Sequence, residues 1–193
     1  MKIEKIDRRV KYTNLLLKES IIELLKTKHI SKVSVKMLCN TADINRSTFY
    51  AHYADQYDLL EKLEQEVMTN LKEYINHVKN EPSQVLNQVL EYAAKDAELF
   101  KVLLSENCGS AFQRDFMSLS QQKIISKVKD DHSIDVRTSE YLQCFILSGA
   151  LEIFKKWLHD GMVESPEQMA ELISKLLFQG TSFFYKKRNK ETK

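Results

Sequence analysis

The stretch ADINRSTFYAHY, residues 42–53, sets a turn, two hydroxyls, an arginine, an amide and three aromatic rings side by side. Just before it, Ser34 is a good N-cap, and in VKMLCNTA (35–42) the residues Val35, Leu38, Cys39 and Ala42 repeat at helical spacing. DIN (43–45) then turns the chain into a third short helix. Two short helices joined by about three residues have the geometry of a helix-turn-helix. Asp43 falls where such a turn needs a left-handed residue, a conformation aspartate tolerates better than most non-glycine types. Ile44 is expected to plug the angle between the helices, and Asn45 to cap the third one. Arg46, Ser47, Thr48, Tyr50, Ala51 and His52 then share the outer surface, while Phe49 and Tyr53, four apart, face inward. On this reading the inward rings hold the helix, and the outward groups hydrogen-bond to phosphates and base edges.

The charge distribution points the same way. Residues 1–54 hold 11 Lys and Arg against 5 Asp and Glu, an excess of six positive charges, whereas the remainder holds 18 against 22. A small basic module joined to a larger, mildly acidic one predicts a polyanionic partner for the first only. With 193 residues, 43% of them apolar, the chain can bury a substantial core. Four glycines and two prolines predict an all-α protein with short connections. No apolar run is long enough to span a bilayer, and the charged start MKIEKIDRRVKYTN lacks a signal-peptide core, so a soluble cytoplasmic protein is expected.

Nothing in the chain announces catalysis. Cys39, Cys108 and Cys144 lie far apart and lack metal-site spacing, as do the histidines at 29, 52, 77, 132 and 159. The cysteines read as core thiols in a reducing compartment. There is no GxSxG, P-loop or GxGxxG, so neither an enzyme, a metal nor a cofactor is expected.

The stretch SVKMLCNTADINRSTFYAHYADQYDLL (34–60) resembles the DNA-binding region of the TetR/AcrR family of bacterial transcriptional regulators. The family opens its second helix with a hydroxyl residue, held here by Ser34. Its later run of alanine, glycine, valine, serine and a basic residue is met by Ala42, Asp43, Ile44, Asn45 and Arg46. The small residue, threonine, apolar residue, tyrosine, histidine and aromatic that follow are met by Ser47, Thr48, Phe49, Tyr50, His52 and Tyr53. The resemblance covers roughly residues 9–62. It implies a three-helix DNA-binding domain over 1–62, a helical ligand-sensing and dimerisation domain over 63–187, and a basic tail over 188–193. The candidate DNA-binding residues are Ser34, Lys36, Asn45, Arg46, Ser47, Thr48, Tyr50 and His52. Two departures stand out: Asp43 replaces the usual glycine, and Ala54 and Gln56 stand where the family often has a lysine near phosphate. Backbone amides behind an Asp55 cap are expected to receive a phosphate there, with Arg8, Arg9 and Lys11 supplying charge from helix one.

Beyond the motif, periodicity predicts a first helix over 9–28 with Leu17, Ile21, Leu24 and the stem of Lys28 on one face. It also predicts a long helix carrying Leu60, Leu63, Val67, Leu71, Tyr74 and Val78. A further helix begins near Pro82 and carries Leu86, Val89, Ala93, Ala97, Phe100 and Leu104, until ENCGS (106–110) breaks it. Another runs over 110–129 with Phe112, Phe116, Leu119 and Val128. The helix over 137–159 is apolar around most of its circumference, so it should be covered on more than one side, and Gly149 is read equally as permitting a close helix approach or as a mere flaw in the helix. Met169, Leu172, Ile173, Leu176 and Leu177 belong to a last helix. Phe100, Phe112, Phe116, Tyr141 and Phe145 are read chiefly as core, and alternatively as the lining of an effector pocket.

The last two helices are assigned to a symmetric homodimer, which places two basic modules on one double-stranded DNA and predicts a pseudo-palindromic operator. The C-terminal region is similar to the subgroup of the family that includes dihydroxyacetone-kinase regulators, some of them activators. The expected function is a ligand-responsive repressor with a small-molecule effector of unknown identity and no membrane partner. The alternative is a co-activator or protein-interaction module with weak intrinsic DNA binding, which the missing basic residues at 54 and 56 favour.

Overall fold

The computed structural model describes residues 8–76, 82–121 and 135–180. Among them there are nine α-helices, two 3-10 turns and no strand: α1 Arg8–Leu25, α2 Val35–Ala42, α3 Arg46–Tyr50, α4 Gln56–Ile75, α5 Pro82–Lys95, α6 Ala97–Leu103, α7 Ala111–Ser120, α8 Val136–His159 and α9 Pro166–Gln179. The chain forms two compact units. One comprises 1–69 with 98–113, the other 70–97 with 114–193.

In the first unit α1 buries Leu17, Ser20, Ile21 and Leu25. The helix stops at Leu25, three residues short of the sequence expectation, so Leu24 is only half-buried and Lys28 lies exposed beyond the helix end. Helix ends leave carbonyls unsatisfied, and the carbonyl of Leu25 accepts from Asn107 Nδ2 at 2.8 Å. His29 starts the turn Ile30–Lys32 by accepting from the Ser31 amide through Nδ1 at 3.2 Å. Ser34 caps α2 as expected, its Oγ accepting from the Met37 amide at 3.3 Å. Residues 56–69 of α4 bury Leu59, Leu60, Leu63, Glu64, Val67 and Met68. Phe100 of α6 meets Phe112 edge-on with ring centroids 6.0 Å apart, and both are buried.

The single helix expected from Pro82 to Leu104 is two helices, broken at Asp96. Aspartate competes for backbone groups and favours helix ends over interiors. The break separates α5, in the second unit, from α6, whose residues from Glu98 onward belong to the first. ENCGS contributes the 3-10 turn Glu106–Cys108, followed by Gly109 at φ 86°.

In the second unit α5 and α8 pack with α9. Val85, Leu86, Val89, Leu90 and Ala93 of α5 face a core completed by Leu151, Phe154, Trp157 and Leu158 of α8 and Met169, Ala170 and Ile173 of α9. A capping box starts α9: Ser165 accepts from the Gln168 amide, Gln168 returns the bond to the Ser165 amide, and Pro166 takes the first turn. Trp157 Nε1 donates to the Glu164 carbonyl at 2.9 Å, tying this loop to α8.

The early part of α8 leaves apolar side chains uncovered within the single chain. Phe145 is 77% exposed and Tyr141 63%, with Leu142, Cys144, Ser148 and Gly149 exposed beside them. Among the described residues nothing lies within 4 Å of a Cβ placed on Gly149, so no described helix approaches it closely. The described residues therefore leave this face of α8 uncovered. Exposure of Cys144 also corrects its assignment as a core thiol; Cys39 and Cys108 are buried, and all three are free. Among the described residues no helix is long and apolar enough to cross a membrane, and no group of His, Cys, Asp or Glu is placed to hold a metal. The expectations for Val78, for Val128 and the end of its helix, and for the basic tail fall outside the described residues.

Candidate nucleic-acid interface

The turn between α2 and α3 is built as its residue types dictate. Asp43 sits at φ 53°, ψ 47°, in the left-handed region, and both its amide and that of Ile44 return to the carbonyl of Cys39. Ile44 is half-buried. Asn45 takes the N-cap backbone conformation, but its side chain makes no cap hydrogen bond, contrary to expectation. Its backbone carbonyl accepts from Phe49 at 3.1 Å, and its amide group lies exposed at the helix start.

Phe49 is fully buried and Tyr53 nearly so, their centroids 5.7 Å apart. Tyr53 Oη donates to Asn14 Oδ1 of α1 at 3.3 Å, fixing the end of the motif to the first helix. Burial raises the Tyr53 hydroxyl above its ordinary pKa, and the carboxylates of Glu66 and Asp58 push it further. That side chain therefore stays a neutral donor.

The outward set is placed unevenly. Arg46, Ser47 and Ala51 are exposed, and Tyr50 is 58% exposed with its ring edge-on to Phe49 at 5.6 Å. Thr48 is only half-buried, and so is His52, which follows the end of α3 and lies 6.3 Å from the Tyr53 ring. Ser34 and Lys36 are exposed at the start of α2. The structure thus gathers Asn45, Arg46, Ser47 and Tyr50 as an exposed cluster around α3 and sets Thr48 and His52 deeper. Burial raises the Cys39 thiol, and the positive charge of Arg46 opposes that shift.

The start of α4 differs more sharply from expectation. Asp55 Oδ1 accepts from the amides of Tyr57 and Asp58 at 2.8 and 2.9 Å. Asp58 Oδ2 accepts from the Ala54 amide at 2.8 Å and from Lys62 Nζ at 3.0 Å. The Ala54 bond and then Lys62 hold the Asp58 carboxyl below its usual range. Asp55 thus caps the helix as expected, but the Tyr57 and Asp58 amides behind it, and the Ala54 amide before it, are occupied by two carboxylates, which also repel an anion.

Two residues escaped the sequence reading. Lys62 donates to the His52 carbonyl at 3.2 Å and lies 5.1 Å from the Tyr53 ring centroid, bracing the motif's end; the Asp58–Lys62 spacing of four was its signal. Tyr57, about half exposed on the first turn of α4, presents a second hydroxyl near the motif in sequence. Arg8, Arg9 and Lys11 are exposed on the first turn of α1.

These features define a helix-turn-helix protein with a second helical unit of its own core. Residues 80–179 match the family model described as a transcriptional regulator C-terminal region of TetR type. The chain belongs to the TetR family of transcriptional regulators. It is 21% identical over 170 residues to an uncharacterized HTH-type transcriptional regulator of Bacillus subtilis, YxbF; that match takes in 84% of this chain and 44% of the relative, so the chain spans less than half of the relative's length. A TetR transcriptional regulator from Streptococcus agalactiae superimposes with a TM-score of 0.68 at 23% identity, over 89% of this chain and 96% of that one. The dihydroxyacetone kinase operon activator DhaS superimposes with a TM-score of 0.55 at 18% identity, over 89% and 97%. At these identities the structural likeness establishes the shared fold.

Proposed function

We propose that this regulator is a cytoplasmic homodimeric repressor that reads a pseudo-palindromic operator through α3 and is controlled by a small effector. Residues 1–62 serve as the DNA-binding part, 63–187 as the regulatory and dimerising part, and 188–193 as a basic tail. The observation that carries this reading is the division of labour on α3: a buried Phe49 anchors a five-residue helix whose Arg46, Ser47 and Tyr50 are left to solvent. An exposed ring with a hydroxyl beside a guanidinium suits phosphate and base-edge contacts. The uncovered face of α8 supports the dimer, since a second copy would bury Tyr141, Leu142 and Phe145. Binding of the purified protein to a duplex of random sequence at low salt, followed by fluorescence anisotropy, tests the interface. Arg46→Ala and Tyr50→Ala should each weaken it by about tenfold, one lost charge-assisted or hydroxyl contact each, with unchanged melting curves. Affinity unchanged from that of the parent protein in both variants would overturn it.

The second reading, a co-activator with weak intrinsic DNA binding, is favoured by Asp55 and Asp58 occupying the amides at the α4 start. Under it the α3 variants retain function while a partner protein supplies the affinity. The likeness to an activator, DhaS, makes the sign of regulation part of the same question.

A further inference from the structure

The apolar side chains of the second unit leave a partly open pocket between them, with Met117, Ile146 and Leu177 only half-buried at its edge. A cavity of about 50 Å³ lies among α5, α7, α8 and α9. Phe116 and Phe154, stacked with centroids 5.6 Å apart, form part of its wall, with Leu90, Ala150 and Ile173 around them. Of the aromatic residues considered from sequence, only Phe116 reaches it; Phe100 and Phe112 are buried in the first unit, and Tyr141 and Phe145 are exposed.

Among the described residues the lining contains no Asp, Glu, Lys, Arg or His, and its single polar side chain is Ser120. The Ser120 hydroxyl donates to the Phe116 carbonyl at 2.9 Å, so toward the cavity it can act only as an acceptor. A carboxylate entering here would meet no cation and an ammonium no anion, and burying either charge unpaired is strongly unfavourable. The volume matches roughly three or four water-sized groups. We infer that this cavity takes a small uncharged apolar ligand carrying at most one hydroxyl, a short-chain alcohol in its simplest form. The inference rests on the effector-controlled reading above and assigns the chemistry of that effector.

The test compares three probes of equal length on the full chain: n-propanol, propionate and propylammonium. Trp157, the single tryptophan of the sequence, lies 6.2 Å from the Phe154 ring and reports occupancy by fluorescence, with the methyl resonances of Leu90 and Leu151 as a second readout. Propanol should give a saturable response in both, with the charged probes weaker by about 100-fold or more. Ala150→Leu, which fills the space, should abolish the response. Should that variant fail to fold, Ser120→Ala should weaken propanol by about tenfold, the share of one hydrogen bond, and leave xenon binding unchanged. A charged probe matching propanol, or no saturable response to propanol and xenon, overturns the inference. Binding to duplex DNA is measured separately. Retained DNA binding without propanol binding sinks only the ligand assignment, and the converse sinks only the regulator reading.

Discussion

Phe49 and Tyr50 are adjacent in sequence and opposite in environment, and that contrast separates stability from recognition. Phe49 is fully buried, so Phe49→Ala should cost about 3–5 kcal/mol through lost burial and the cavity left behind. Tyr50 is largely exposed, so Tyr50→Ala should change stability by no more than about 0.5 kcal/mol while lowering DNA affinity; urea titrations beside binding curves check both. The two caps make a similar pair. Ser34→Ala should cost about 1 kcal/mol because its hydroxyl caps α2, whereas Asn45→Ala should be nearly neutral because its side chain caps nothing. Sequence made both N-cap positions legible, since Ser and Asn favour such backbone conformations. Whether the side chain then bonds depends on a rotamer that residue type does not fix. The thiols offer a third check. Burial, with Glu64 adding to it, pushes Cys108 up to about 12, so it stays protonated at any ordinary pH, and burial raises Cys39 as well. In the Phe145→Glu monomer a thiol reagent should label exposed Cys144 at once and the other two only on unfolding, whereas a dimer formed through α8 should slow the labelling of Cys144.

Among the elements, the start of α4 is where the proposed hold on DNA should be most readily tuned. Lys and Arg near a phosphate add affinity through counterion release, and here carboxylates stand instead. Gln56→Lys should strengthen binding and steepen the dependence of log affinity on log salt by about 1 per protomer; an unchanged slope would mean that this helix start never meets a phosphate. The carboxyl pKa of Asp58 is lowered in the folded chain. Its contribution is therefore present above the ordinary carboxylate range and is lost as pH falls through the lowered value, loosening the α4 cap in acid. The α2–α3 unit was readable because cap, apolar spacing and a left-handed aspartate all agree there. The occupied amides were not, because a reach from Asp58 back to Ala54 is a matter of side-chain geometry. The break at Asp96 was missed for a related reason: the apolar stripe continues across it from Ala93 to Phe100, and periodicity alone reads one helix.

For the whole molecule, the account requires that two copies present two α3 helices to one duplex. The exposed face of α8 is where sequence and structure agree on a surplus of apolar side chains that the described residues of one chain leave uncovered. Phe145→Glu should therefore convert a dimer to monomers in sedimentation velocity and remove cooperative DNA binding, with the core around Trp157 unaltered. The measurement that tests the central claim most directly is selection of tightly bound duplexes from a random pool at fixed near-physiological salt, run in parallel with Tyr50→Ala. The account predicts a pseudo-palindromic consensus, with half-sites about one helical turn or more apart, that disappears in the variant. Failure of the folded protein to enrich any sequence, or the same consensus recovered with Tyr50→Ala, would contradict it.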